Sequence, residues 1–299
     1  MTLFNQHYPA GSLAFQQLVA AQVQAALHED IGTGDLTAAL IPLAQVAKAT
    51  IIVRETAIIC GIDWVNACFK LTDPNINITW LIAEGGRVTA NQVLCEITGS
   101  ARALLTAERC ALNFLQTLSA TATETRKYVD AIAGTHAQIL DTRKTIPHLR
   151  LAQKYAVTVG GGHNQRLALY DGILIKENHI AAAGGIAAVM RLALSMETNR
   201  SKSVQIEVEN LGQLEEAIAS GASNILLDNF SPNLLSEAVA CNKTNALKKG
   251  SKKLAILEAS GGITLENVRE IALTGVDRIS IGSLTKNVQA IDFSMRIVK

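Results

Sequence analysis

Arg143, Lys144, Arg166 and Lys176 recur at the junctions between apolar runs and loops within Ile139–Ile180. The run Gln138–Leu140 is followed by Asp141-Thr142-Arg143-Lys144, and Ile173–Ile175 by Lys176-Glu177-Asn178-His179. Both runs have the length and composition of short buried strands. Between them lie Gly160-Gly161-Gly162 and then His163-Asn164-Gln165-Arg166. Cations just past strand ends, beside a backbone that can approach closely, suit an anionic small molecule. A single such cation would be an ordinary solvated loop residue; four together, with few acids nearby, read as a binding group.

Later apolar runs end in carboxylates or in glycine. Val204–Val208 carries Glu207 and leads into Glu209-Asn210, and Asn224–Leu227 ends in Asp228-Asn229. Leu254–Leu257 ends in Glu258, with Ser260-Gly261-Gly262 after it, and Arg278–Ile281 ends in Gly282-Ser283. Glu207 and Asp228 are suited to a metal or to sugar hydroxyls. The turns Ser260–Gly262 and Ile281–Ser283 precede helical patterns, so their N–H groups and the helix ends can hold a phosphate. They also serve as plain helix-entry turns, and both uses are compatible. The set fits a phosphosugar, a second anionic substrate and a divalent metal. Mg²⁺ is expected, because carboxylate, hydroxyl and phosphate oxygens are hard ligands.

These residues need a scaffold that brings strand ends together. After Gly134, strand-like runs (Gln138–Leu140, Val157–Val159, Ile173–Ile175, Val204–Val208, Asn224–Leu227, Leu254–Leu257 and Arg278–Ile281) alternate with helical ones (Ala181–Met196, Leu211–Ser220, Pro232–Cys241 and Leu265–Thr274). Alternating units of this kind give a parallel sheet with helices outside. The expectation is an incomplete, seven-stranded α/β barrel with its site at the C-terminal strand ends. An open doubly wound sheet is the alternative, but no G-x-G-x-x-G turn is present.

The earlier part reads as an α/β sandwich-like domain. Leu13–His28 and Ile62–Lys70 have helical spacing, and Ala49–Val53, Ile58–Cys60, Thr79–Ile82 and Val93–Ile97 read as short strands. Ala101–Ala133 is the longest helical pattern; Leu105, Leu112 and Leu115 fall on one side, and Arg109, Asn113 and Gln116 form a polar stripe. That stripe is an exposed face, or Arg109 reaches into a partner subunit's site. In EDIGTGDLT, Asp30 and Asp35 read as turn and cap acids, with metal ligation as the alternative. The expected division is 1–115 for the first domain and 116–286 for the barrel, with 287–299 packing back on the first. Asn242–Lys253, with five lysines, reads as a solvated loop.

Composition excludes several classes. Of 299 residues, 48% are hydrophobic and 18% charged, enough for a sizeable core. Aromatics are only 4% and the net charge is +1, so neither a base-stacking platform nor a basic field for nucleic acid is present. The five cysteines include no C-x-x-C pair, which fits reduced thiols in a cytoplasmic protein. The segment MTLFNQHYPAG lacks the pattern of a signal peptide, and no apolar run is long enough for a bilayer.

The motifs EDIGTGDLT, ERCALNFLQTLSATAT, LDTRKTIPHLR, GGGHNQRLALYDGILIKENHI, IEVEN, ILLDN, EASGGI and ISIGSLTK occur in the order found in the quinolinate phosphoribosyltransferase family and span nearly the whole chain. The chain therefore resembles that family. The resemblance implies Mg²⁺-dependent transfer of phosphoribosyl from phosphoribosyl pyrophosphate to quinolinate with loss of carbon dioxide, giving nicotinate mononucleotide for NAD synthesis. It implies a homodimer with shared sites. By position, Arg109 would enter the neighbouring site, Arg143 and Arg166 would hold quinolinate, and Thr142 would bind substrate beside them. Lys144 and Lys176 would border both substrates, Glu207 and Asp228 the ribose hydroxyls and the metal, and Ser260–Gly262 and Ile281–Ser283 the 5′-phosphate. Two positions depart from the pattern: Gln165 and Lys286 stand where members often have His. The rival readings are a Schiff-base aldolase using Lys176, a paralogue of the molybdate-transport type, and a non-catalytic nucleotide-binding paralogue.

Overall fold

The computed structural model describes residues 4–196, 203–248 and 254–298. In chain order the principal elements are α1 (Phe4–His7), α2 (Leu13–Ile31), β1 (Val46–Val53), β2 (Ala57–Ile58), α3 (Ile62–Thr72), β3 (Asn77–Trp80), β4 (Arg87–Val88), β5 (Val93–Ser100) and α4 (Ala101–Ala131). Next come β6 (Gln138–Leu140), α5 (Arg150–Val159), β7 (Gly172–Ile175), α6 (Glu177–Ala183), α7 (Ile186–Ser195), β8 (Ser203–Val208) and α8 (Leu211–Ala219). The last are β9 (Asn224–Asp228), α9 (Pro232–Lys248), β10 (Ile256–Ser260), α10 (Val268–Leu273), β11 (Arg278–Ser280), α11 (Ser283–Lys286) and β12 (Phe293–Val298). No described helix is long and apolar enough to cross a membrane.

Two compact units divide the chain. One comprises residues 4–126, 145–161 and 284–298, the other 127–144 and 162–283 among the described residues. The division expected at 115/116 falls inside α4, which runs unbroken through that point.

The first unit holds an antiparallel sheet in the order β12-β1-β5-β3. Alternation along β1 buries Ala49, Ile51 and Val53 on one face. Phe15, Val19, Val23 and Leu27 recur every four residues on α2 and are buried; each contributes roughly 1.5–3 kcal/mol relative to exposure. Phe15, Trp64 and Tyr155 meet with ring centroids 5.2–5.6 Å apart. The Trp64 indole N–H, buried with them, donates to Gln22 Oε1 at 2.8 Å.

The second unit is a partial α/β barrel. Its strands are all parallel, in the order β6-β11-β10-β9-β8-β7. Six strands form it rather than the seven expected. Val157–Val159 is the last turn of α5, where Ala152, Ala156 and Val157 are buried at helical spacing; a three-residue apolar run does not distinguish strand from helix. The seventh position is taken by His163, which makes a single parallel bridge to Leu140. Its N–H donates to Ile139 O at 2.8 Å, and its carbonyl accepts from Asp141 N at 3.1 Å.

Several other boundaries differ from expectation; the helix expected over Leu265–Thr274, for one, begins only at Val268. The helix expected over Ala181–Met196 is two helices, because Gly184 and Gly185, at φ +85° and +123°, end α6 and begin α7. β10 begins at Ile256 rather than Leu254, so Glu258 lies inside the strand. The expected loop at Asn242–Lys253 is helical as far as Lys248, with Asn242 and Ala246 buried; 249–253 lie outside the described residues.

The triple glycine serves packing more than ligand approach. A Cβ at Gly160 would lie 2.5 Å from Ala122 O and 2.7 Å from Thr125 Cβ on α4, and Gly161 leaves α5 at φ +89°. We expect Gly160→Ala to destabilise the fold by about 1–3 kcal/mol, the usual cost of forcing a methyl into a filled space. Urea denaturation checks this; an unchanged midpoint would remove the close-packing role.

Candidate active site

Alternation and register together build a polar interior for the barrel. In parallel β8 to β11, every second residue shares a face. On β8 these are Gln205 and Glu207, on β9 Leu226 and Asp228, on β10 Glu258 and Ser260, and on β11 Arg278 and Ser280. The intervening Ile206, Val208, Ile225, Leu227, Leu257, Ala259 and Ile279 are buried on the other face. The ladders set Ser260 opposite both Asp228 and Ser280, and Ser280 opposite Leu140. The C-terminal strand ends therefore finish at one level.

A cavity of about 340 Å³ opens there. Its walls include Thr142, Arg143 and Lys144 after β6, Gln165 and Arg166 after the bridge, and Lys176 after β7. Glu207, Asp228, Glu258, Ser260 and Ser280 come from the next four strands. Eight residues expected from the sequence thus meet in one place: Thr142, Arg143, Lys144, Arg166, Lys176, Glu207, Asp228 and Ser260.

Several charges are held by specific partners. Lys176 Nζ lies 3.0 Å from Glu207 Oε2 and 3.3 Å from Oε1. Arg166 is anchored by a 2.9 Å bond from one guanidinium nitrogen to Gly172 O. Burial and then the like charge of Arg143 hold Arg166 below the ordinary arginine range, with Asp171 opposing. Two guanidinium-bearing side chains lining one cavity favour an anion between them. Arg143 Nε and Ser283 Oγ are buried without a hydrogen-bond partner, an arrangement a bound anion relieves.

The glycine turns fit tightly. A Cβ at Gly282 would come within 3.2 Å of Lys144 Cδ and 3.7 Å of Thr142 Oγ1; its absence lets those side chains lie over the end of β11. The Lys144 N–H donates to Thr142 Oγ1 at 3.1 Å. Gly261 and Gly262 have φ of +94° and +62°, and a Cβ on Gly261 would collide with Asn229 Oδ1. Asn229, itself at φ +57°, donates from Nδ2 to Asp228 Oδ2 at 2.8 Å and from its N–H to Ser260 O at 2.8 Å. This fixes the Asp228 carboxylate.

Several residues fall elsewhere. Arg109 and Asn113 are exposed on α4 in the other unit. Lys286 is exposed at the end of α11. Asp35 accepts from Thr37 N, Ala38 N and Thr106 Oγ1 at 2.9–3.0 Å. The Ala38 N–H, then the Thr106 hydroxyl, hold its carboxyl below the usual range. Asp30 lies 3.7 Å from Cys110 Sγ. Both acids are thus engaged in local structure. No cluster of three or more His, Cys, Asp or Glu that could hold a metal occurs among the described residues. Gln205 and Ser280 face the barrel interior without having been singled out from the sequence. Counting back in twos from Glu207 and from Gly282 reaches them, and that period is the signal that could have found both.

The N-terminal domain model of quinolinate phosphoribosyl transferase matches residues 35–119, and the C-terminal domain model matches 121–296. A probable nicotinate-nucleotide pyrophosphorylase [carboxylating] from Bacillus subtilis is 40% identical over 269 residues, 90% of each chain. Quinolinate phosphoribosyltransferase [decarboxylating] 1 from Nicotiana glauca is 36% identical over 92% of this chain and 81% of its own. The structure of the nicotinate-nucleotide pyrophosphorylase from Francisella tularensis matches with a TM-score of 0.87 at 45% identity, covering 95% of this chain and 97% of that one. Both family models match in order and together cover most of the length, so this chain belongs to the quinolinate phosphoribosyltransferase family.

Proposed function

We propose that the protein transfers phosphoribosyl from phosphoribosyl pyrophosphate to quinolinate, releasing pyrophosphate and carbon dioxide and forming nicotinate mononucleotide. The observation that carries this is one cavity holding cations, carboxylates and two serines from successive strand ends.

Arg143 and Arg166 clamp the quinolinate carboxylates and present the ring nitrogen to C1 of the ribose. Glu207 and Asp228 hold the ribose hydroxyls and stabilise positive charge on the sugar as the C1–O bond to pyrophosphate breaks. Lys144 and Lys176 balance the charge gathering on the leaving group. Ser260–Gly262 and Gly282–Ser283 receive the 5′-phosphate through backbone N–H groups and the Ser283 hydroxyl, whereas the Ile281 N–H is already given to Leu140 O at 2.9 Å. The bond between ring and adjacent carboxylate then breaks, releasing carbon dioxide; the electron pair left on the ring carbon is stabilised by the neighbouring pyridinium nitrogen and takes up a proton from water, giving nicotinate mononucleotide.

The donor set fits Mg²⁺ that is shared with substrate. Glu207 and Asp228 are two carboxylates on adjacent strands, too few for a protein-only cage, and Mg²⁺ is commonly held by one or two carboxylates plus substrate phosphates. When bound there, it would neutralise pyrophosphate oxygens. The homodimer belongs to the same reading: exposed Arg109 would complete a partner's site. The five cysteines are all free thiols, which supports a reducing, cytoplasmic setting.

The test is incubation with Mg²⁺, phosphoribosyl pyrophosphate and either quinolinate or nicotinate, following carbon dioxide and mononucleotide. Turnover with quinolinate alone, abolished by chelation of the metal, is expected. Nucleotide binding without turnover would overturn the reading in favour of a non-catalytic paralogue.

A further inference from the structure

Gln165 lines the cavity beside Arg166, and a substrate contact is the simple reading of it. The hydrogen bonds say otherwise. Its amide nitrogen donates to Gln205 Oε1 at 2.6 Å and to Glu258 Oε1 and Oε2 at 3.1 and 3.4 Å. Its amide oxygen accepts from the Arg166 N–H at 2.8 Å, and its own N–H donates to Asp141 Oδ1 at 2.9 Å. Gln205 Nε2 closes the ring by donating to Glu258 Oε2 at 2.9 Å. A primary amide has two N–H donors, and both of these point into protein.

We propose that Gln165 is a positioning residue, held by Gln205 and Glu258, which fixes Arg166 for the substrate carboxylate without touching that carboxylate itself. The inference rests on the proposed function, in which Arg166 holds quinolinate.

Three observations support it. Glu258 and Gln205 are buried at 0% and 4% exposure, and Gln165 at 7%. A carboxyl group held this deep by amides is a costly arrangement unless its geometry is used. Burial pushes the Glu258 carboxyl above its ordinary range, while the Gln165 and Gln205 amides, Ser280 and Arg278 oppose the rise. Arg166 is then clamped at two points, its backbone N–H by Gln165 and its guanidinium by Gly172 O. The ring thus fixes the backbone from which the Arg166 side chain leaves, and Gly172 O fixes its far end.

A donor–acceptor swap separates positioning from contact. Gln165→Glu alone sets a second carboxylate against Glu258, and Glu258→Gln alone leaves one amide donor facing another. In the double variant, the carboxylate now at position 165 accepts from the amide now at position 258 and from a Gln205 amide turned end for end. Every bond of the ring can then re-form with one carboxylate present. Each single variant is expected to raise KM for quinolinate about tenfold or more, given roughly 1.5–3 kcal/mol for hydrogen bonds to charged groups. KM for phosphoribosyl pyrophosphate should stay nearly unchanged. The swap should bring quinolinate KM back to within about threefold of wild type, since it restores the bonds. If Gln165 instead donates to the substrate, the swap places a carboxylate against the quinolinate carboxylate, and KM stays high although thermal stability recovers. That result overturns the proposal.

Gln205→Ala covers failure of the swapped protein to fold. Gln205 does not line the cavity, yet its loss removes its bonds to Gln165 and to the Glu258 carboxyl and should weaken quinolinate binding about fivefold or more. Unchanged affinity, measured by calorimetry, likewise overturns it. Absence of quinolinate binding by the wild type would sink the functional reading itself, a separate outcome.

Discussion

Arg109→Ala is expected to abolish turnover, and Lys144→Ala to do the same, yet subunits of the two variants assembled together should recover about one quarter of wild-type activity. The arithmetic is that of the proposed two-fold dimer. Random pairing gives half heterodimers, each with one site lacking both groups and one complete. The physical reason lies in where the two residues stand. Lys144 lines the cavity after β6, whereas Arg109 is exposed on α4 of the other unit. Substituting an exposed arginine fills no cavity and empties none, so thermal stability should change by no more than about 0.5 kcal/mol. Co-expression with two affinity tags isolates the heterodimer. Heterodimers without activity would refute the shared site and leave Arg109 as a surface residue.

Lys176→Met should lower kcat by about a hundred- to a thousandfold, the range seen when one group stabilising developing charge is removed. Methionine keeps most of the volume but not the ammonium that stands 3.0 Å from Glu207. Two effects then add. The leaving pyrophosphate loses a cation, and Glu207 keeps its negative charge with no counter-ion at that distance. Lys176→Arg should restore only part of the rate, because a planar guanidinium does not occupy the position of a compact ammonium. Steady-state kinetics with both substrates saturating are the check, and a loss below about tenfold would assign Lys176 to ground-state binding rather than to the bond-breaking step.

The sequence alone determined which residues belong together. Period-two alternation, carboxylates after apolar runs and glycine turns before helices are local properties of a chain, and they placed Arg143, Lys144, Arg166, Lys176, Glu207 and Asp228 at strand ends. Parallel strands with a common register then had to bring them to one mouth, as the cavity shows. Tertiary structure decided three things that local pattern does not encode. The three-residue run Val157–Val159 packs as the end of a helix, since so short an apolar stretch suits either element and its neighbours choose. The triple glycine is needed where α5 ends against α4, because the contact partners Ala122 and Thr125 are remote in sequence. Gln165 turns its amide inward to Gln205 and Glu258, residues far along the chain that only barrel closure brings within 3.1 Å. In the sequence Gln165 is only a departure from the family's pattern, and its hydrogen-bond partners come from the fold.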